Sequence, residues 1–410
     1  MTGSVYLVGG AVRDELLGIP HTESDWVVVG STPEELLARK FRQVGASFPV
    51  FLHPETGEEY ALARTERKQG HGYHGFTVDF HPGVTLEEDL ARRDLTINAM
   101  ARDEQGRLID PFGGQQDLER KILRHVSAAF SEDPLRVLRV ARFAARFADY
   151  GFRVHESTLA LMQGMTASGE LEHLVPERAW AEFTKALSTS QPGVFIEVLR
   201  ESGALAVLLP EVDCLFGIPQ PAHFHPEIDT GVHVLMTMNR AAQLGGTPEV
   251  VFALLVHDLG KGLTAGDLLP AHHGHEKSGL PLVERVCARL KVPNAFRELA
   301  LKVCALHLRC HCLLEARPAT VMDLIEEADL IRRPERAKDF VTACQADYQG
   351  RKGLESRPYP QGDFLQAALK AVLSQRAKDI ATEGLSGLQI GEELRKARIS
   401  AIAGIEGPAG

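Results

Sequence analysis

The sequence predicts a multidomain protein in which an α/β or α+β amino-terminal domain precedes all-α domains. The chain has 410 residues, which exceeds the usual size of a single domain. As far as about residue 125, short β-branched runs alternate with turn residues, as in a mixed α/β domain. From Asp133 onward, apolar residues recur at helical spacing and prolines separate the helices.

The predicted elements divide the chain into four domains. Strands are expected in the first part, at residues 5–8, 26–29, 59–63 and 76–80. A proline-rich segment at 219–226 marks a later boundary, and two helices are expected near the end, at 364–376 and 387–402. We therefore predict an α/β domain at 1–125, a helical region at 126–227, a histidine-rich helical domain at 228–350 and a helical tail at 351–410.

Composition and charge restrict the possible classes of protein. A content of 44% hydrophobic and 24% charged residues is typical of a globular chain. The net charge of -10 argues against nucleic-acid binding over the whole surface, although one RNA end requires only a local basic groove. No apolar run is long enough to cross a bilayer, and no signal peptide is visible. Six cysteines without CxxC spacing suit a reducing compartment, so we expect a cytoplasmic protein with free thiols.

A glycine turn between a predicted strand and a predicted helix is the first candidate site. Residues 5–8 lead into Gly9 and Gly10, and then into a helix that Gly18 should end. Glycine lets backbone N–H groups approach a triphosphate, and Arg13 in the first helical turn can pair with phosphate oxygens. Taken alone, such a turn is more often plain chain geometry than phosphate binding.

Two carboxylates one residue apart follow on the next predicted strand. In a strand Glu23 and Asp25 share a face, so their oxygens can hold a pair of Mg²⁺ ions. Such ions activate a 3′ hydroxyl, steady a leaving pyrophosphate and neutralise charge at the reacting phosphorus. The alternative is a solvated strand edge, which becomes the weaker interpretation beside the glycine unit. These residues therefore predict a magnesium-dependent nucleotidyl-transfer site.

An arginine-rich helix beginning near Pro134 is the next candidate. Its arginines recur at three- and four-residue spacing, at Arg136, Arg139, Arg142 and Arg146. They therefore form one stripe, which is stable mainly where acids or phosphates lie opposite. A solvated surface is the alternative interpretation of this stripe.

Asp133 and Arg136 together predict how a base is selected. Cytosine and adenine each present an amino donor beside an unprotonated ring nitrogen, so an aspartate acceptor next to an arginine donor matches both. Guanine and uracil present the reverse pattern and would leave buried polar groups unpaired.

The motifs of the first domain resemble a known family. GGAVRDELLG followed by ESDWVVVG is similar to the head domain of bacterial CCA-adding enzymes, the class II tRNA nucleotidyltransferases. Further similar blocks follow in order, namely ARTERK, RRDLTINAM and EDPLRVLR, and the resemblance extends over nearly the whole chain. The family's strand normally carries DxD, whereas here Glu23 keeps the first charge on a side chain that is one methylene longer.

The resemblance implies a polymerase β-like nucleotidyltransferase head, a helical neck and body, and immature or damaged tRNA as the substrate. It implies that one pocket takes CTP and then ATP, with the protein as template, and that the tRNA 3′ hydroxyl reacts without a covalent enzyme intermediate. Gly10 and Arg13 would cradle the triphosphate, and Glu23 and Asp25 would bind Mg²⁺. Further nucleotide contacts are expected from Arg93, Arg139 and Arg142.

A second site is predicted from residues in the order H…HD…D. His233 lies near the start of a predicted helix, the pair His257-Asp258 ends an apolar helix, and Asp347 follows much later. This order resembles the HD superfamily of metal-dependent phosphohydrolases, in which imidazoles and carboxylates hold a divalent metal that activates water. Cys310-His311-Cys312 lacks a second ligand pair, so chance explains its CxC spacing better than zinc. Other histidines are expected not to be primary ligands: His225, His272, His273, His275, His307 and His311.

In the branch of the CCA-adding family that carries an HD domain, the resemblance implies 2′,3′-cyclic phosphodiesterase, 2′-nucleotidase and phosphatase activity. The metal implied is Ni²⁺ or another divalent transition metal, since ligand softness alone does not select nickel over manganese or cobalt. We expect a monomer or a homodimer with no membrane segment.

Three alternatives stay open at this point. A poly(A) polymerase could use the same head, although the HD block argues against it. A phosphohydrolase could carry an RNA-binding head that Glu23 has made inactive in transfer. A purely structural RNA-binding protein is the third, which the acidic charge and the two metal-type clusters disfavour.

Overall fold

The computed structural model describes residues 3–21, 24–44, 50–68, 76–379 and 385–405. The chain divides into two compact units, each with its own internal packing. Unit 1 comprises Met1–Phe183 and Glu197–Leu208, and unit 2 comprises Thr184–Ile196 and Leu209–Gly410.

All strands in the described residues belong to unit 1. They are β1 (Ser4–Val8), β2 (Asp25–Val29), β3 (Arg42–Val44), β4 (Val50–Leu52), β5 (Glu59–Leu62), β6 (Thr65–Lys68), β7 (Phe76–Asp79), β8 (Ala101–Arg102), β9 (Leu108–Ile109), β10 (Ile122–Leu123) and β11 (Arg153–Val154). Seven of them form one sheet in the order β3-β4-β5-β2-β1-β8-β9, while β6 pairs with β7 and β10 with β11.

The register of the large sheet decides which residues meet at its edge. Strand β1 pairs antiparallel with β2 and places Val8 opposite Asp25. Strand β2 pairs parallel with β5 and places Asp25 opposite Glu59. Successive side chains of a strand point to opposite faces, so Val27 and Val28 enter two different apolar clusters. The sheet is therefore packed on both faces.

The helices of unit 1 surround this sheet and continue beyond it. They are α1 (Gly10–Leu16), α2 (Pro33–Ala38), α3 (Leu86–Ala91), α4 (Gly114–Arg120), α5 (Leu135–Arg146), α6 (Glu156–Ala167), α7 (Pro176–Leu187), α8 (Pro192–Glu201) and α9 (Ala204–Leu208). The division between the units falls within α7 and α8. Helix α5 buries one apolar face, with Val137, Leu138 and Val140 fully inaccessible to solvent.

The described residues of unit 2 are helical. The remaining helices are α10 (Pro210–Asp213), α11 (Thr230–Gln243), α12 (Pro248–Val256), α13 (His275–Ser278), α14 (Leu280–Leu290), α15 (Asn294–His311), α16 (Pro318–Glu327), α17 (Ala337–Gln349), α18 (Pro360–Ser374) and α19 (Gly387–Ala403). Residues 250–256 of α12 are all 0% exposed, because the helix is apolar on every side and lies among α11, α15 and α17. The residues that directly follow α12 therefore lie inside the core of unit 2.

The four predicted strands are confirmed within one residue at their ends, and the two predicted tail helices within four residues. The strands β3, β4, β6 and β8 to β11 were not predicted. Six of these have only two or three residues, which are too few to show an alternating pattern, and the sequence of β6 is mostly charged. Within the described residues, the structure contains no helix that combines the length and apolarity needed to span a membrane.

Candidate nucleotide and metal sites

A cavity of about 520 Å³ in unit 1 brings the first set of predicted residues together. Its lining includes Gly10, Arg13, Asp25, Arg93, Asp133, Arg136, Arg139 and Arg142. Glu23 lies outside the described residues. Among the residues that the structure describes, the lining holds nine arginines and four carboxylates. This nucleotide cavity is therefore cationic, although the chain as a whole is acidic.

The acidic edge of the nucleotide cavity is formed by two neighbouring strands. Asp25 begins β2, and Glu59 begins β5 directly beside it. Both are exposed and both line the cavity. Carboxylate oxygens are the ligands that Mg²⁺ prefers, so the donor set at this edge suits that ion. Glu59 was not predicted, because the pairing of β2 with β5 cannot be inferred from either segment alone.

The glycine turn lies against the RRDLTINAM segment. Gly9 has a φ of +69°, and a Cβ atom there would lie 2.8 Å from Nη1 of Arg93. Arg93 and Arg92 both pair with Asp89, at 3.2 Å and 2.7 Å from its two carboxylate oxygens. Burial opposes ionisation of Asp89, yet Arg92 and Arg93 hold its pKa below the usual value. The carboxylate of Asp89 therefore holds both guanidinium groups in place.

Arg13 is only 3% exposed and is fixed by several partners. Its Nε atom donates to Asp14 at 2.8 Å, and its Nη1 atom donates to the side chain of Asn98. The guanidinium carbon lies 5.2 Å and 5.0 Å from the ring centres of Phe143 and Phe147. Burial lowers the pKa of Arg13, although Asp14 opposes this effect. The side chain of Arg13 thus connects α1 with α5.

The arginine stripe of α5 meets carboxylates, as its stability requires. Three of its arginines form ion pairs within unit 1, namely Arg139 with Asp94 and Glu182, Arg142 with Glu182 and Arg146 with Asp14. The carboxylate of Asp94 raises the pKa of Arg139. Arg136 and Arg142 are 7% and 8% exposed, so the alternative of a solvated surface is wrong for these two residues.

Asp133 and Arg136, which were predicted to read the base, are joined in the nucleotide cavity by Arg178. Arg136 donates to the backbone carbonyls of Ala129 at 2.7 Å and Arg92 at 2.6 Å. The carboxylate of Asp133 accepts instead from Nη2 of Arg178 at 3.0 Å. Arg178 lies on α7 and lines the same cavity, and no local pattern in the sequence indicates that role.

A separate cluster in unit 2 contains all four residues of the predicted H…HD…D order, and we call these four the HD centre. His233 comes from α11, His257 and Asp258 follow α12, and Asp347 lies on α17. None of them is more than 2% exposed. Nε2 of His233 lies 3.0 Å from Oδ1 of Asp347, and Nε2 of His257 lies 3.2 Å from Oδ2 of Asp258.

The protonation states show that buried charge at the HD centre is compensated locally. Burial opposes ionisation of Asp258 and Asp347, yet the neighbouring imidazoles hold both pKa values well below the usual range. Although burial lowers the pKa of His257, Asp258 and Asp347 raise it to about 10. Metal ligands bind in their deprotonated forms, so a divalent cation would compete with this proton. The buried imidazole and carboxylate donors thus fit a transition metal.

Further side chains surround the HD centre that were not predicted as ligands. Nε2 of His275 lies 3.2 Å and Nε2 of His307 lies 3.8 Å from Oδ1 of Asp258. Nε2 of His311 lies 2.7 Å from Oδ2 of Asp347. The spacing of His307 and His311 along α15 places both on one helix face, which the sequence could have indicated.

The other histidines and cysteines of this region have different positions. His272 contacts the hydroxyl of Thr264 and the backbone carbonyl of Pro219, and His273 is exposed. Cys310 is buried beside the hydroxyl of Tyr359, and Cys312 is exposed. In the part of the chain that the structure describes, neither cysteine belongs to a group that could hold a metal ion.

Three family models match successive parts of the chain. They are described as the Poly A polymerase head domain at residues 5–124, the probable RNA and SrmB-binding site of polymerase A at 151–215, and the HD domain at 230–331. The chain is 59% identical over 397 residues to the Multifunctional CCA protein of Thioalkalivibrio sulfidiphilus. It is 58% identical over 398 residues to that of Pseudomonas fluorescens, and both alignments cover 97% of each protein.

Solved structures are also similar to this chain. The Bacillus stearothermophilus CCA-adding enzyme in complex with CTP matches with a TM-score of 0.66 at 25% identity, covering 98% of this chain and 90% of that one. The Thermotoga maritima CCA-adding enzyme complexed with tRNA matches with a TM-score of 0.63 at 21% identity, covering 99% of this chain and 89% of that one.

The polymerase-head and HD matches define the class, a nucleotidyltransferase that carries an HD domain. Identity along nearly the full length shows that the chain belongs to the multifunctional CCA protein family. The predicted fold class, an α/β nucleotidyltransferase head followed by helical regions and an HD domain, is confirmed. The four domain boundaries and the roles of individual site residues stay predictions.

Proposed function

We propose that this nucleotidyltransferase adds and repairs the 3′-terminal CCA of tRNA, using CTP and then ATP, and that its HD centre hydrolyses phosphate esters. The observation that carries the first activity is the nucleotide cavity, where two exposed carboxylates at a sheet edge face a lining of arginines. Family membership supports CCA addition as the reaction. The reaction and its substrate are consistent with a cytoplasmic location and with the free state of the six cysteines.

The transfer reaction needs cations beside the reacting phosphate. Asp25 and Glu59 would hold Mg²⁺ at the sheet edge, together with Glu23 of the preceding segment. Bound Mg²⁺ neutralises charge on the phosphates and favours ionisation of the attacking 3′ hydroxyl. The carboxylates position this charge at the beginning of β2, next to the glycine turn that follows β1.

Arginines on the other side of the cavity would bind the triphosphate. Arg93 lies next to the glycine turn, where Gly10, the first residue of α1, would offer its backbone N–H to the phosphates. The side chain of Arg139 is 34% exposed, so it can contact a phosphate while its pair with Asp94 is kept. Arg142 and Arg13 are more deeply buried, and they add positive charge at the cavity wall.

Asp133 would accept the amino group that cytosine and adenine share, with Arg136 as the predicted donor to the ring nitrogen. Arg178 lies 3.0 Å from Asp133 and orients that carboxylate. A uracil or guanine would face the carboxylate with a carbonyl oxygen and leave buried groups unpaired. This arrangement supports one pocket for both CTP and ATP.

The test of the transfer function uses tRNA that lacks its terminal CCA and each nucleotide added separately. We expect incorporation of CTP first, followed by ATP once two cytidines are present. Incorporation of ATP alone as a long tail would indicate a poly(A) polymerase, the alternative that shares this head domain.

The HD centre would hydrolyse 2′,3′-cyclic phosphates, 2′-nucleotides and other phosphate monoesters, with Ni²⁺ or another divalent transition metal. His233, His257, Asp258 and Asp347 would hold the metal, which lowers the pKa of water and polarises the phosphate. Asp25→Ala should abolish transfer and keep phosphatase activity, and His257→Ala should do the converse. Loss of both activities in either variant would contradict two independent sites.

A further inference from the structure

A cation beside the HD centre, Arg351, keeps hydrogen-bond donors available for a ligand. We propose that Arg351 binds the phosphate of the hydrolase substrate and that the exposed ring of Phe224, next to it, stacks on the base of an RNA 3′-terminal nucleotide. The preferred substrates are therefore phosphorylated RNA ends and not small phosphate esters. This inference rests on the proposed hydrolase function of the HD centre and adds the residues that select its substrate.

The HD centre is more accessible beside Asp347 than beside Asp258. The four residues of the centre are at most 2% exposed, so an incoming phosphate must first pass the side chains around them. The side chain of His275, beside Asp258, is 6% exposed. Arg351 and His311, which lie beside Asp347, have side chains that are 13% and 12% exposed. A phosphate that reaches the centre from the Asp347 side therefore meets Arg351.

One edge of the Arg351 guanidinium lies next to the centre and makes no hydrogen bond to it. Nη2 lies 3.8 Å from Oδ1 of Asp347, which is too far for a hydrogen bond. Nε is buried and, within the described residues, makes no hydrogen bond. Nε and Nη2 together form the edge that can donate two parallel bonds to a phosphate. A buried donor without a partner is unfavourable, so a phosphate bound here supplies the missing interaction.

Lys261, a second cation beside the HD centre, already has its partners. Its Nζ atom lies 2.7 Å from Oδ2 of Asp258 and donates to the side chain of Gln220 at 2.5 Å. Lys261 is also only 6% exposed. It therefore neutralises Asp258, whereas Arg351 retains donors for an incoming anion.

The turn that follows α17 gives the Arg351 side of the centre a positive charge. Residues 351–357 carry three cations and one carboxylate, and Lys352 and Arg357 are exposed. The guanidinium carbons of Arg351 and Arg357 lie 5.6 Å and 5.3 Å from the ring centre of Tyr348. A local cationic surface of this kind attracts the phosphodiester groups of RNA, although the chain as a whole is acidic.

Phe224 lies beside this cationic surface and is exposed to solvent. Nη1 of Arg351 donates to the backbone carbonyl of Phe224 at 3.4 Å, and 58% of Phe224 is exposed. Phosphate, ribose and base are adjacent within one nucleotide, so a terminal phosphate on Arg351 brings the base close to Phe224. Base stacking on an aromatic side chain strengthens binding by roughly 5- to 150-fold. A small ester without a base lacks this contribution.

The first test compares two phosphate monoesters in the full-length protein loaded with Ni²⁺. One is a trinucleotide that ends in a 2′-phosphate and the other is glycerol 2-phosphate, and released phosphate is measured for both. Arg351→Gln should lower kcat/KM for both substrates by roughly 10- to 100-fold, because the phosphate loses a charged hydrogen-bond donor. Phe224→Ala should raise KM for the trinucleotide by roughly 5-fold or more and leave KM for glycerol 2-phosphate unchanged.

Matched controls for these two variants come from exposed positions of unit 2. Arg332 is an exposed partner of Asp329, and Leu388 is exposed on α19. Arg332→Gln and Leu388→Ala should therefore leave kcat/KM unchanged for both substrates.

The second test measures binding without turnover. With a chelator present, we expect the trinucleotide with a 2′-phosphate to bind more tightly than the same trinucleotide with a 2′ hydroxyl, and Arg351→Gln should remove this difference. Ni²⁺ affinity, measured by calorimetry, should be unchanged or higher in Arg351→Gln, because a cation 3.8 Å from Asp347 is removed. A residue that only supports the metal ligands would lower Ni²⁺ affinity instead. Arg351→Lys, which keeps the charge but not the paired donors, replaces the glutamine variant if circular dichroism shows that the latter is unfolded.

Different results would contradict the roles of the two residues and the hydrolase function. Equal kcat/KM in Arg351→Gln and the parent protein, or a fall in Ni²⁺ affinity that accounts for the lost activity, would overturn the role of Arg351. The same KM change for both substrates in Phe224→Ala, or no change, would overturn base stacking. Hydrolysis of neither ester by the parent protein with Ni²⁺ bound would overturn the hydrolase function itself.

Discussion

At the scale of single residues, Arg178 changes the interpretation of the base-reading pair. Its guanidinium contacts Asp133, whereas the two terminal nitrogens of Arg136 donate to backbone carbonyls. Arg136 therefore also supports the chain around the pocket in addition to its predicted role as a donor to the base. Arg178 and the backbone N–H of Leu135 both contact the carboxylate that would accept the amino group of the base.

Arg178→Ala should weaken nucleotide selection, because Asp133 loses the partner that orients it. A hydrogen bond to a charged group contributes about 1.5–3 kcal/mol, so we expect kcat/KM for CTP to fall roughly 10- to 100-fold. The measurement is incorporation of each of the four nucleotides into tRNA lacking CCA. Arg107→Ala is the matched control, since Arg107 pairs with Asp103 at the surface and does not line the cavity. An unchanged preference in Arg178→Ala would contradict this role.

Asp94→Asn should reduce stability in a pH-dependent way. Although burial raises the pKa of Asp94, Arg139 and Asn98 lower it well below the usual value. A carboxyl group with a depressed pKa in the folded state stabilises the protein above its unfolded pKa, and this contribution is lost as the pH falls through the folded pKa. Breaking such a buried pair costs about 3–5 kcal/mol, and partial exposure of Arg139 reduces this figure. Urea unfolding should show the full difference at pH 7 and a smaller one below pH of about 4.

A loss that stays constant between pH 7 and acidic pH would show that the effect of Asp94→Asn comes from packing. The matched control is Glu15→Gln, since the side chain of Glu15 is 47% exposed and forms its pair with Arg102 at the surface of unit 1. We expect a small change in that variant, because exposed ion pairs contribute little.

At the scale of elements, the turn between β1 and α1 connects the sheet to the arginines. Gly9 combines a positive φ with close approach to Arg93, while Gly18, at the other end of α1, has a φ of +68° and no atom within 4 Å of a Cβ position. Substitutions at Gly9 and Gly18 would both strain the backbone, but only a substitution at Gly9 would also crowd Arg93 at the nucleotide cavity.

Gly9→Ala should raise KM for CTP, because the added Cβ displaces Arg93. Both Gly9→Ala and Gly18→Ala should lose about 1–2 kcal/mol of stability, since positive φ disfavours any residue with a Cβ atom. Only the first variant should bind CTP more weakly, as measured by calorimetry. Equal CTP affinity in both variants would show that Arg93 does not depend on the turn.

At the scale of the whole molecule, two chemistries lie in two separately packed units. The nucleotide cavity belongs to unit 1 and the HD centre to unit 2. A ligand that binds only the folded state stabilises the part of the chain that binds it. The gain in free energy of unfolding grows with the logarithm of the ratio of ligand concentration to Kd.

Adding Ni²⁺ should therefore raise the unfolding temperature of unit 2. At a free metal concentration of about 100 times Kd, the gain is about 2.7 kcal/mol. Calorimetric scans with and without a chelator measure this change. Asp25→Ala should keep the shift and His257→Ala should lose it, because only His257 lies in the HD centre. A shift that persists in His257→Ala would place the stabilising ion elsewhere.

Local spacing in the sequence was enough to predict the longer elements and several members of each candidate site. The glycine turn, Asp25, the stripe on α5 and the adjacent pair His257-Asp258 are defined by neighbours within four residues, which backbone geometry translates directly into a face or a turn. The resemblance to a family, carried by these same motifs, extended the prediction to Asp347 and to the substrates.

Tertiary structure alone decided which distant residues join these sites. Glu59 reaches Asp25 through strand register, Arg178 reaches Asp133 through the packing of α7, and His275 reaches Asp258 because α13 follows a loop that returns to the end of α12. Spacing along the chain carries no information about such pairs, because register and helix packing depend on the whole core and not on the residues between the partners.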